Sequence, residues 1–459
     1  MLKGLEITEI NLKDLERTAR LDSEFYKKEN LNIINLLNKT NAKPLTEFLQ
    51  VSDGNHMGIS EFFCEEGIPY YRGQDIHDFF IENANPICIP KTVFSKPVMK
   101  RSYLKKNDVL LSIVGTIGEV SLVNTDSDAT CSCKLAILRP KSTLKSETIA
   151  LFLQSKYGQN QIRKFIRGAV QMGFILEDLD QIIIPKFFPD FQSKIEQIVK
   201  SAHAKIAESK SLYSEAEDIL LSELGLKNWH PRNTNVNVKK LKESFLQTGR
   251  LDSEYYLPRY EDYAHLIEHY RGGYGQFSNV CMINEANYVP AANEKYTYIE
   301  LGNIGSYGNI TDCTVAYGKD LPSRARRVVH TNNVILSSVG GSLQSCALIS
   351  SEYDNAICST GFFVVRSNAI NSETLLTLFK SEVMQNLLKQ SCSGTILTAI
   401  NHTELQKIVV PKIRKEVQDK IAENIQKSIA LRNKSKSLLE NAKVQVENVI
   451  QTGGGIKLC

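Results

Sequence analysis

From Phe191 to Leu224 apolar residues fall at Ile195, Ile198, Val199, Ala202, Ile206, Leu212, Ala216, Ile219 and Leu220, close to a three-four alternation that no Pro or Gly interrupts. That spacing predicts a helix with one buried stripe. From Arg414 to Ile450 the pattern returns at Val417, Ile421, Ile425, Ile429, Leu438, Leu439, Val446, Val449 and Ile450. Each helix should run for about 35 residues, or about 50 Å at the helical rise per residue. A small domain cannot hide so long a stripe, so the two helices are expected to pack on each other as an antiparallel coiled coil.

Ahead of each helix the pattern changes character. "DVLLSIVG" (108–115) and "NVILSSVGG" (333–341) are short apolar runs closed by glycine and predict buried strands ending in tight turns. "AILRP" and "GFFVVRS" read as strands too. "SETIALFLQSKYGQNQIRKFI" and "SETLLTLFKSEVMQNLLKQS" read as short helices, each opening on a Ser and Glu start signal. Each long helix is therefore preceded by a mixed α/β domain.

The similarity between the halves extends to the letters. "RLDSEFY" (20–26) returns as "RLDSEYY" (250–256), 230 residues on. "YRGQDI" (71–76) aligns with "IELGNI" (299–304), "NDVLLSIVGTIGEVSLV" with "NNVILSSVGGSLQSCALI", and "LDQIIIPKFFPDFQSKI" (179–195) with "LQKIVVPKIRKEVQDKI" (405–421). Four blocks in one order, at nearly constant offset, read as a tandem duplication whose unit is far longer than a solenoid repeat. The predicted organisation is 1–188, an N-terminal segment and first α/β domain; 189–230, the central helix; 231–413, the second α/β domain; 414–452, the C-terminal helix; and 453–459, a tail. A pseudo-twofold molecule follows, with one α/β domain near each end of the coil. Such a ruler suits a linear lattice such as DNA.

The chain has 459 residues, more than one core usually supports, with a 42% hydrophobic and 23% charged composition ordinary for a globular protein. The acidic N-terminus "MLKGLEITEINLKDLE" does not read as a signal peptide and no apolar run approaches a membrane span, so a cytoplasmic location is expected. Ten scattered cysteines without Cys-x-x-Cys spacing read as reduced residues. A net charge of +4 does not announce a nucleic-acid binder by itself. Local clusters do more: "KPVMKRSYLKK" (96–106) holds five basic residues and no acid, and "RARR" (324–327) holds three, both just ahead of the glycine-closed strands.

The ordered set "RLDSEFY", "SDGNH", "GIPYYRGQDI", "DVLLSIVGTIGEVSLV" and the "IIIP…Q..I" start of a long helix resembles the specificity subunit of Type I restriction-modification enzymes, over nearly the whole chain. The resemblance implies two target recognition domains that each read half of a bipartite sequence in double-stranded DNA. It also implies a coil that docks two methyltransferase subunits, with restriction-translocase subunits joining them. The chain itself would be non-catalytic and hold no cofactor or metal; S-adenosylmethionine and ATP with Mg belong to the partners. The second half departs from the pattern, since "SDGNH" has no counterpart there and "VGTIG" becomes "VGGSL".

Candidate DNA-contacting residues are Asn55 and His56 in the turn, Arg72, Lys100, Arg101, Lys105 and Lys106, and Thr116 in the glycine loop. In the second half they are Arg324, Arg326, Arg327, Ser342 and Gln344. The heptapeptides are too alike to read two different sequences. Arg20, Asp22 and Glu24, with Arg250, Asp252 and Glu254, are expected to fix a domain-to-coil junction or touch the methyltransferase subunits, with Phe25, Tyr26, Tyr255 and Tyr256 packed beneath. Two other readings stand beside this one: a coiled-coil scaffold that binds protein rather than DNA, and a zinc protease built on "HLIEH" (265–269). The first half has no equivalent of that motif, and the glycine-rich stretches lack the residues of a phosphate-binding loop.

Overall fold

The computed structural model describes residues 6–12, 15, 20–81, 86–141, 144–168, 172–311, 313–394 and 397–453. The residues of the predicted tail beyond 453 lie outside the described set. The chain divides into two compact units, Met1–Ile206 with Asn433–Cys459, and Ala207–Arg432.

In the first unit a four-stranded antiparallel sheet has the order Leu49–Asp53, Leu135–Pro140, Val109–Ser112, Val120–Leu122. A smaller sheet orders Cys88–Ile89, Ile68–Tyr71 and Thr130–Cys131, the last pair parallel. The larger sheet is buried on both faces. Val109, Leu111 and Leu138 join the helices in one core, while Leu110, Leu135 and Ile137 join Tyr71 and Cys131 of the smaller sheet in another. Alternate side chains thus enter different cores, which explains an unbroken apolar run in place of an apolar-polar alternation.

In the second unit the larger sheet runs Met282–Asn284, Phe362–Arg366, Val334–Ser337, Cys346–Leu348. The smaller sheet orders Thr314–Tyr317, Lys295–Ile299, Ile357–Ser359 and Ala325–Val328, again with one parallel pair. Val334, Leu336 and Val365 face the helices; Ile335, Ala347 and Val364 face the smaller sheet.

Each stretch read as a short helix is two helices: Ser146–Gln154 and Lys156–Phe165, then Ser372–Lys380 and Glu382–Ser391. Ser155 and Ser381 make the breaks in extended backbone, their hydroxyls donating to the carbonyls of Phe152 (2.6 Å) and Leu378 (2.5 Å). The opening serines are not N-caps either. Lys145 and Asn371 hold that position, while Ser146 and Ser372 donate to the carbonyls of Asn107 and Asn332, each at 2.6 Å. Both asparagines sit at positive φ, 71° and 67°, a conformation asparagine tolerates better than most residues.

The long helices span Pro189–Glu223 and Lys415–Thr452. Their buried residues step by three and four: Gln192, Ile195, Val199, Ala202 and Ile206 in the first unit, then Ser209, Tyr213, Ala216 and Leu220 in the second. Gln418, Ile421, Ile425, Ser428 and Arg432, then Ser435, Ala442 and Val446, keep the same phase. Ile198, Leu212 and Ile219, all apolar, are only half-buried beside that seam. In the first unit Ser435 Oγ donates to the carbonyl of Ala202 at 3.0 Å; in the second, Ser428 Oγ meets Ser209 Oγ at 2.8 Å.

Candidate functional site

The turn "DGNH" is built residue by residue. Asp53 ends a strand, paired with Ala136 across the sheet. Gly54 follows where an added Cβ would lie 2.2 Å from the carbonyl oxygen of Ser132, so no other side chain fits. Asn55 is buried and closes the turn on Met57, accepting from its N–H at 3.0 Å and donating to its carbonyl at 2.8 Å. His56 is thereby presented outward. Its Nε2 lies 2.5 Å from Asp53 Oδ2, and the other carboxylate oxygen accepts from Arg101 Nη2. The Asp53 side chain is 11% exposed, against 58% for His56 and 53% for Arg101.

Strand pairing gathers more of the candidates at this end. Asn55 runs parallel to Ser132, and Tyr71 runs parallel to Cys131, so His56 and Arg72 leave the sheet on the same side. Arg72 forks onto Asp75, with Nε at 3.1 Å, and Thr116 Oγ1 reaches the carbonyl of Gly73 at 3.5 Å. Lys100 is exposed. Lys105 and Lys106 belong elsewhere, lining a depression with Arg139, Lys145 and Glu196 beside the start of the central helix; Lys106 Nζ pairs with Asp126 at 2.6 Å. The basic run 96–106 is therefore divided between two places.

In the second unit Arg324 donates to Tyr298 Oη (3.2 Å) and Glu300 (2.9 Å). The strand register shifts between Ala325 and Arg327, leaving Arg326 as the extra residue, its Nε on the carbonyl of Ser323 at 2.8 Å. Arg327 turns inward. Its Nε and Nη1 are buried without a hydrogen-bond partner near Cys358, whose thiol burial pushes up to about 12. Arg324 to Arg327 thus do not form one basic patch. Ser342 Oγ meets Ser337 Oγ at 3.1 Å, and Gln344 is exposed while its carbonyl accepts from Lys380 Nζ at 2.8 Å.

The glycine loops that carry Thr116, Ser342 and Gln344 are anchored by residues the sequence reading passed over. Gln159 Nε2 donates to the carbonyls of Gly118 and Leu153, both at 2.8 Å. Gln385 Nε2 donates to those of Leu343 (3.1 Å) and Phe379 (2.7 Å). A second pair locks the start of each long helix. Gln192 accepts from the Lys145 N–H and donates to the Phe187 carbonyl; Gln418 accepts from the Asn371 N–H and donates to the Ile413 carbonyl. Identical glutamines at identical spacing in both halves were the available signal.

The heptapeptides form clamps. Arg20 forks onto Asp22 (2.7 and 2.9 Å), donates to the Lys164 carbonyl at 3.2 Å, and lies 4.8 Å from the centre of the Phe25 ring. Arg250 forks onto Asp252 (2.9 and 2.6 Å), donates to the Cys392 carbonyl at 2.8 Å, and lies 4.4 Å from the Tyr255 ring. Each guanidinium thus sits at the C-terminal end of a short helix, where the unpaired carbonyls favour a cation. The arginine hydrogen bonds hold both aspartates below the usual carboxylate range. Phe25 and Tyr26 are buried, Tyr255 and Tyr256 only half-buried. Glu24 pairs with Lys27 at 2.5 Å and Glu254 with Lys389 at 3.7 Å.

Among the described residues no group of three or more His, Cys, Asp or Glu is placed to hold a metal. His265 and His269 stack at 3.9 Å, and His269 Nδ1 is 2.8 Å from the His265 carbonyl. None of the described cysteines is in a disulfide, and no described helix is long and apolar enough to cross a membrane.

No family model matches the sequence, and no curated protein matches it. Among solved structures the chain is similar to a Type-I restriction-modification system S subunit from M. genitalium, at 14% identity over 89% of this chain and 94% of that one, with a TM-score of 0.36. It is also similar to an HsdS subunit from Thermoanaerobacter tengcongensis, at 13% identity over 90% and 96%, TM-score 0.29. A third is a structure described by complex assembly and conformational transition of the type I R-M system, at 14% identity over 89% and 96%, TM-score 0.28.

Proposed function

We propose that the chain is the non-catalytic specificity subunit of a Type I restriction-modification enzyme. It reads a bipartite DNA target through two recognition domains and docks methyltransferase and restriction subunits. Methyl transfer from S-adenosylmethionine and ATP-driven work with Mg belong to those partners. The two units descend from a tandem duplication, and the long helices form an antiparallel coiled coil that sets the spacing between the half-sites.

One observation carries this reading: a frame of similar contacts made in both units, with different residues displayed on it. Gln159 and Gln385, Gln192 and Gln418, and Arg20 and Arg250 make matching contacts in the two units. Between these anchors the residues differ. Arg72 in the first unit and Glu300 in the second occupy the same place in the same capping box, with opposite charge. Divergent displays on one scaffold suit two different half-sites. The helices support the coil, since Ala202 meets Ser435 and Ser209 meets Ser428, the number rising in one helix as it falls in the other.

A protein-binding scaffold is favoured by one feature, the pairing of Arg72, Arg101, Lys106 and Arg324 with acids, which neutralises part of the basic surface. Methyl transfer to a random DNA library by the partner methyltransferase, with and without this chain, separates the two. The specificity role gives modification at one bipartite sequence only when the chain is present. Equal modification without it overturns the role.

A further inference from the structure

We propose that Asp53, His56 and Arg101 form a reader of a single G·C base pair in the half-site of the first unit. The assignment rests on the DNA-reading role proposed above and gives it a chemical target. Arginine carries a planar fork of donors that matches the two acceptors on the major-groove edge of guanine, O6 and N7. On an open surface that side chain occupies many rotamers, and ordering it costs entropy at the moment of binding. Here the cost is met in the free protein. Asp53 Oδ1 accepts from Nη2 alone, and the side chain is 53% exposed, so the remaining donors stay available.

His56 adds the other half of the pattern. An ionised carboxylate only accepts hydrogen bonds, so the ring nitrogen 2.5 Å from Asp53 Oδ2 is the protonated one, Nε2–H. In the neutral ring this leaves Nδ1 as an acceptor on a side chain 58% exposed. The cluster therefore displays donors from arginine beside an acceptor from histidine. A G·C pair offers the complement, two acceptors on guanine and the N4 amino donor on cytosine. A phosphate offers acceptors only, and an A·T pair places its donor on the purine. Asp53 is rigid enough to serve as the buttress, because the strand end, the glycine that admits Ser132 and the Asn55 turn all fix it. It is a positioning residue; Arg101 and His56 touch the base pair.

The test is sequencing of methylated sites on a random DNA library, using the reconstituted complex with unaltered protein, Arg101→Lys, Arg101→Ala, His56→Ala and Asp53→Asn. A bidentate contact is worth about 5- to 150-fold in discrimination. Both Arg101 variants should lose preference of that order for one G·C pair in one half-site and leave the other half-site unchanged. Asp53→Asn and His56→Ala should weaken preference at that same pair by smaller factors. Arg101→Lys keeps the charge and alters a half-exposed side chain, so it reads the fork without threatening the fold. A uniform loss of affinity across all sequences, with the salt dependence reduced by about one ion, would make Arg101 a phosphate contact and overturn the assignment. Unchanged preference overturns it as well. If the unaltered complex shows no sequence preference, the DNA-reading role itself fails, and the assignment falls with it.

Discussion

At Glu223, in the second unit, four hydrogen bonds converge on a carboxylate only 5% exposed: Arg414 at 2.7 Å twice, Tyr270 at 2.6 Å and Arg271 at 3.0 Å. The Arg414 bonds, opposed by burial and helped by Tyr270 and Arg271, hold its carboxyl down at about 2 against an ordinary 4.5. A depressed carboxyl stabilises the folded state fully above its unfolded value and loses that contribution as pH falls. The stability from Glu223 should therefore be intact above about pH 4.5 and fade as pH falls through about 2. In Glu223→Gln the drop in melting temperature across that window should shrink; equal slopes in thermal melts from pH 5 to pH 2 would contradict the account. At this scale the sequence spoke clearly only where a residue type was repeated. "RLDSE" advertised a shared structural role, while nothing in the sequence set Asp53 or Glu223 apart from other acids, because their arginine partners Arg101 and Arg414 lie 48 and 191 residues away.

Among elements, the paired short helices and the glycine loops act together. Gln159 and Gln385 each join a helix end to a loop, so removing the amide leaves two carbonyls without that donor. Gln159→Leu and Gln385→Leu should each destabilise their own unit by about 1–3 kcal/mol. Hydrogen exchange should quicken in residues 116–118 of the first variant and 342–344 of the second, each without effect on the other loop. A global melt with no local change in exchange would count against the tether. The start signals located these stretches but gave no sign of the breaks at Ser155 and Ser381. Periodicity reports which face is buried and is silent about a hydroxyl that terminates one helix and starts the next.

For the whole molecule, the telling feature is that the first unit takes its last segment from the far end of the chain. Ala442, Val446 and Ile450 enter the same core as Phe25, Ile195 and Val199. Ending the chain at Arg432 should therefore cost the first unit on the order of 5 kcal/mol from lost apolar burial. The second unit keeps its core members from Tyr213 to Ile425. Limited proteolysis of the truncated chain should release a resistant fragment from the second unit while residues of the first are cut early. Equal resistance of the two would show that the returning segment is dispensable.

The sequence by itself determined the mixed α/β character, the strands that close on glycine and the two long helices, because periodicity and turn chemistry are local properties. The repeated letters of the heptapeptides also marked the Arg20 and Arg250 clamps, since a similar contact made twice keeps the same side chains. Only the tertiary structure decided which polar residues carry that frame, that Ser209, Tyr213 and Arg432 lie in the buried seam, and which cations are already paired. The physical reason is that burial of a polar group depends on a partner supplied by another element. Strand register and helix phase bring that partner within hydrogen-bond reach, and neither is written at the residue's own position.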